Sequence, residues 1–292
     1  TLLVAASLLG ACQTSGTASL SLDEAKKVTA SFEGGFVPPP RTITDITGIL
    51  EQQKRKDLET LGQMRVVADE KPPVAANDAE LAMFYYKRGQ IADHLGRQDQ
   101  ALADYHKAVE LFELSNNKTM AASATEAEAY VIYYLGNYSD SIKGIRKAIK
   151  LTRSDWQDVK VPLRLVLAGM AAESGDFALA EEELRRVRPM LNLVRSWDLP
   201  QQKRASLESL YSTARAIVLA KRGKLDEAEV LMRDAVKRYK PFKSFAKEDA
   251  DSKLALQQYV WYLRHLSLIL TAQGRYVEAE VIAREGLLLM LS

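Results

Sequence analysis

Leu95-Gly96-Arg97-Gln98-Asp99-Gln100-Ala101 decides how the rest of the chain is read, because its frame, Gly-x-x-x-x-(small), returns four times downstream, there with an aromatic or apolar residue where this copy has Gln98. The copies are Gly136-Asn137-Tyr138-Ser139-Asp140-Ser141, Gly175-Asp176-Phe177-Ala178-Leu179-Ala180, Gly223-Lys224-Leu225-Asp226-Glu227-Ala228 and Gly274-Arg275-Tyr276-Val277-Glu278-Ala279. Glycine takes a positive φ at little cost, so it closes a helix with a left-handed C-cap and lets the chain reverse within a few residues. The apolar residue two positions on covers the end of the reversal, and the small residue three further lets two helices approach. Seven residues later, two turns along the same helix face, comes a second compact position: Ala108, Ala148, Val187, Ala235 and Gly286. Each phrase is therefore the turn of a helical hairpin.

Flanking periodicity places helix pairs near 78–95 and 98–114, 119–135 and 138–152, 161–174 and 177–194, 201–222 and 225–240, and 250–273 and 276–291. The pattern resembles the tetratricopeptide repeat (TPR), most closely over 82–113, where Tyr85, Gly89, Ala101, Tyr105 and Ala108 stand at consensus-like places. Ser141 and Val187 depart from it. The turn glycines lie 40, 39, 48 and 51 residues apart, against a usual TPR period of about 34, so a divergent array is expected. The resemblance implies an all-α fold, a right-handed α-solenoid of about five TPR-like hairpins. Residues 76–292 form the repeat array, and 20–75 form an N-terminal helical cap with a Pro-rich segment.

The resemblance also implies that the first helix of each pair lines a concave groove that binds a protein or peptide. The positions carried over are Tyr86, Gln90, Asp93 and His94, then Glu126, Tyr130, Tyr133 and Tyr134, then Glu173, Lys221, Trp261 and Arg264. Tyrosines facing a groove offer broad apolar area, few rotatable bonds and an orienting hydroxyl. Tyr130 and Tyr134, four apart, are equally readable as core. The basic runs Arg185-Arg186-x-Arg188, Arg195, Lys203-Arg204, Lys237-Arg238-x-Lys240 and Lys243 are read as solvated faces and helix C-termini, with anionic lipid headgroups or an acidic partner as the alternative.

The totals exclude several chemistries. With 40 basic against 38 acidic residues the chain lacks the cationic excess of a nucleic-acid binder. One cysteine forbids an intrachain disulfide, and His94, His106 and His265 have no helical i, i+4 pairing for a metal. There is no phosphate loop, nucleophile elbow or His-Glu-x-x-His helix. No enzymatic activity and no cofactor are expected.

Residues 1–12 end in Leu9-Gly10-Ala11-Cys12, which resembles the lipobox of bacterial lipoproteins. That resemblance implies cleavage before Cys12, a diacylglycerol on its thiol, and a protein anchored to a membrane and facing the periplasm. Gln13, where some bacteria place the Asp that retains lipoproteins at the inner membrane, points to the outer membrane. No basic segment or initiator Met precedes the apolar run, so the sequence is expected to open within the signal. Residues 1–19 are read as signal remnant and flexible tether.

A last resemblance concerns Phe36-Val37-Pro38-Pro39-Pro40-Arg41 through Leu50, followed by hairpins, which is similar to the front of bacterial proteins whose repeats precede a CHAT (caspase-like peptidase) module. The family's catalytic His and Cys belong to that module, and nothing in this sequence matches it. The apolar end, Gly286 to Ser292, is expected to meet further chain or a partner. The main expectation is a non-enzymatic, lipid-anchored interaction scaffold. The alternative is the regulatory arm of a longer CHAT-type peptidase.

Overall fold

A computed structural model describes residues 47, 61–74, 77–153, 156–242 and 250–291. The chain divides between Leu58 and Glu59, and apart from Thr47 everything described belongs to the second unit. The signal remnant, the tether, Cys12 and the Pro-rich segment lie outside the described residues. So does the basic residue Lys243.

After a helical stretch at 61–68 the chain forms α1 (Asp78–His94), α2 (Gln98–Leu114), α3 (Lys118–Tyr134), α4 (Tyr138–Leu151) and α5 (Gln157–Glu173). These are followed by α6 (Phe177–Arg195), α7 (Gln201–Lys221), α8 (Leu225–Tyr239), a 3-10 turn at Lys240–Phe242, α9 (Ala250–Ala272) and α10 (Tyr276–Leu291). Successive helices pair as antiparallel hairpins, and no strand occurs among the described residues. Each hairpin packs on the next, as in an α-solenoid.

All five phrase glycines have positive φ, from 72° at Gly96 to 86° at Gly175. Each turn makes the same two bonds. Gly136 N–H donates to Tyr133 C=O at 2.9 Å and Asn137 N–H to Ile132 C=O at 3.1 Å, which satisfies carbonyls that the helix end would leave orphaned. Where the next residue is Asn or Asp, it also starts the following helix: Asn137 Oδ1 accepts from Asp140 N–H, and Asp176 Oδ1 from Leu179 N–H. A sixth reversal, between α2 and α3, uses Asn116 at φ 54° and had no glycine to announce it.

The compact positions form the seam. Ala101, Ser141, Ala180 and Ala228 are completely buried, as are Ala108, Ala148, Val187 and Ala235. The Ser141 departure is accommodated because its hydroxyl donates to Met170 Sδ of α5 at 3.2 Å. Apolar clusters extend from each hairpin into its neighbour, so the core is a strip running along the array. The 61–68 stretch docks on the first hairpin. Ala68 is buried, Arg97 pairs with Asp69 at 2.6 Å, and Arg88 donates to Glu70 C=O while forking onto Asp104 at 2.8 and 2.7 Å.

Between the third and fourth hairpins the packing changes. There α7 leans more on α5 than on α6, which brings the first helices of consecutive repeats into direct contact.

Candidate partner-binding groove

First helices face one another across a hollow of about 590 Å³, counting its open mouth. From α3 come Tyr130, Tyr133 and Tyr134, with helical spacing turning all three to one side. From α5 come Leu165, Val166, Gly169, Met170 and Glu173, and from α7 Leu210, Ala214 and Ile217. The far wall is Trp261, Arg264 and His265 of α9.

The tyrosines differ in setting. Tyr134 is 65% exposed, whereas Tyr130 is half-buried and burial raises its pKa. Tyr133 stands edge-on between Tyr134 and Tyr138, at 5.4 Å from each ring. Such edge-to-face rings hold one another in place.

Charge gathers around Glu173. Burial pushes its carboxyl up, while the nearby Lys221 and Arg264 cations pull it back part of the way. Opposite, His265 is nearly enclosed, and burial, with a smaller push from Arg264, lowers its pKa to about 4. Its ring meets Trp261 edge-on at 4.3 Å.

Of the positions carried over from the sequence, Tyr130, Tyr133, Tyr134, Glu173, Trp261 and Arg264 line this hollow. Lys221 stands beside it, exposed. The others lie elsewhere. Tyr86 packs on Tyr105 and Phe112 inside the first hairpin, and exposed His94 places Nδ1 2.7 Å from the Gln90 carbonyl. Glu126, its pKa raised by burial, lines a second recess with Thr119, Arg153 and Trp156. Sequence reading treated His265 only as a histidine without a metal-ligating partner and passed over Met170 and Ile217. Their helical spacing from Val166 and Ala214, four and three residues before, was visible, but nothing in it separates a groove wall from a core face.

Among the described residues no group of three His, Cys, Asp or Glu is placed to hold a metal ion, and no helix is long and apolar enough to cross a membrane.

Comparison with known proteins agrees with this geometry. Tetratricopeptide-repeat models match residues 82–113, 161–186, 214–240 and 260–285, which fall on four of the five hairpins. The unmatched hairpin, α3–α4, is the one with Ser141 at the first compact position. Among solved structures the chain is similar to the crystal structure of BtubC (BKLC) from P. vanneervenii, at 13% identity over 82% of this chain and 91% of that one, with a TM-score of 0.48. No curated protein matches the sequence. Glycine-closed reversals, a buried small-residue seam and the family matches coincide on four of the five hairpins, and those four are tetratricopeptide repeats.

Proposed function

We infer that the chain is a non-enzymatic docking scaffold that receives a peptide or protein segment in the hollow between α3, α5, α7 and α9. Repeat arrays of this kind are generally interaction modules. The observation that carries the reading is the convergence, on one apolar recess, of a tyrosine cluster and a tryptophan from helices far apart in sequence. Aromatic anchors of this sort are the residues that dominate binding at protein interfaces.

Partner capture with the full chain, followed by the triple variant Tyr130→Ala, Tyr133→Ala, Tyr134→Ala, tests it. Binding should weaken by about a hundredfold or more, the loss typical of aromatic hot spots. Unchanged capture by a variant that still folds rejects the groove.

The scaffold is further proposed to be tethered by a diacylglyceryl group on Cys12 and to face the periplasm from the outer membrane. The support is the small-residue approach to the only cysteine of the chain. Detergent-phase partitioning that persists after Cys12→Ser would overturn the anchor.

A further inference from the structure

The second recess, at the start of α5, contains a carboxylate that the protein leaves without a counter-charge. The recess holds about 460 Å³, counting its open mouth, between the first half of α3, the end of α4 and the beginning of α5. Glu126 lines it and is half-buried, yet among the described residues its side chain has no hydrogen bond or ion pair. Neither carboxylate oxygen is sealed from solvent. Burial alone raises its pKa, so no cation of the chain stands near enough to offset that cost. Arg153, at the same recess, is exposed, and its guanidinium lies 5.7 Å from the centre of the Trp156 ring.

Two facts narrow the guest. A half-covered carboxylate without a partner favours a cation, which brings the missing charge and the missing hydrogen bonds together. Ala122, Trp156, Val159 and Leu163 form an apolar wall beside it, which suits an aliphatic stem behind that charge. Ser123 Oγ, which donates to Thr119 C=O at 3.3 Å, keeps lone pairs that an ammonium can use. A lysine side chain combines the stem with the ammonium. The recess also adjoins the hollow: Glu126 lies one helical turn before Tyr130, and its charge adds to the rise in the Tyr130 pKa.

We propose that this recess seats a lysine side chain of the segment docked in the hollow, its ammonium paired with the Glu126 carboxylate and its stem against Trp156 and Leu163. The proposal rests on the groove reading for the source of the lysine, and the recess is tested without it.

Two blocked residues, Nα-acetyl-lysine N-methylamide and its neutral Nε-acetyl form, are titrated into the full chain while the three tryptophan indoles are followed by 15N NMR. The charged probe should bind about tenfold tighter or more, the worth of one charge-assisted hydrogen bond, and should shift Trp156. Glu126→Gln breaks no bond within the protein and should abolish the preference. The wild-type comparison stands without that variant. Equal binding of the two probes overturns recognition of the cation. An unmoved Trp156 overturns the placement, and binding of neither probe overturns the site. Spermidine bound about a hundredfold tighter than the lysine probe, with the same Trp156 shift, overturns the choice of a protein side chain in favour of a free polyamine. Partner capture by the tyrosine variant reads the hollow and these probes read the recess, so the two fail separately.

Discussion

At the scale of single residues, glycine plays two parts here that substitution separates. Gly136 has φ 83° and no atom within 4 Å of where a Cβ would sit, so Gly136→Ala pays for backbone conformation alone. The expected loss is about 1 kcal/mol, read as a lower denaturant midpoint, with Gly136→Asn losing less. Gly144 is helical, and a Cβ there would come within 2.8 Å of Ala129 Cβ. Gly144→Ala should therefore destabilise, although alanine is favoured over glycine in a helix by about 1 kcal/mol. The first role was legible, because a left-handed turn leaves a local phrase. The second was not, because it depends on which residue of α3 lies opposite.

The Arg88–Asp104 pair is likewise invisible in the sequence, its partners sixteen residues apart on facing helices. Asp104 is nearly buried, so Asp104→Ala strands a largely covered guanidinium; the expected cost is about 3 kcal/mol, with Asp104→Asn milder in the same measurement.

At the scale of helices and hairpins, nearly every boundary was legible in advance, since each reversal carries its own chemistry. The largest miss is the start of α5, at Gln157 instead of near 161. Pro162 lies inside this helix, five residues beyond Gln157. It is tolerated further in because so near the helix start it forgoes a single backbone bond, while Trp156 C=O accepts from Lys160 N–H at 3.0 Å to begin the helix.

The joint between the last two hairpins is polar and spans elements. Glu229 of α8 accepts from Arg275 at 2.6 Å, from Gln273 at 2.9 Å and from Arg233 at 2.7 Å, and Arg275 also reaches Glu278. Burial alone would raise the Glu229 carboxyl, but these donors outweigh it and hold its pKa at about 2. A carboxyl with a depressed folded pKa stabilises fully above its unfolded value and loses that contribution as pH falls through the folded one. The joint should therefore loosen between roughly pH 4.5 and pH 2. Glu229→Gln should reproduce the loosening at neutral pH, seen as faster amide exchange in α10 than in α1.

For the whole molecule, hairpin count, hairpin order and six of the lining residues were readable in advance, whereas the closing of the walls into one hollow was not. Its walls depend on how far each repeat turns relative to the last, and the α5–α7 contact that floors it has no signature in either helix alone. His265 shows the same limit: that its Nε2 is buried without a hydrogen-bond partner is a property of the packed array and not of the α9 sequence.

Its titration touches the stability of the array. With the folded pKa depressed from 6.5 to about 4, the unfolded chain takes up a proton that the folded chain refuses, so stability is full above pH 6.5 and declines toward pH 4. The charged groups at the same hollow are Arg264 on α9 and Glu173 on α5, with Lys221 on α7 beside it. His265→Leu should remove a decline of up to about 3 kcal/mol between pH 7 and pH 4 from the difference between variant and wild-type unfolding curves.

The opposite sides of the hollow stand on α3 and α9, and their separation is fixed only through the intervening repeats. A small tilt at each joint adds to the next, as at the tips of a pair of tongs. Grip strength is thus a property of curvature, and a methyl group added at a remote seam can loosen the bite without touching the jaws.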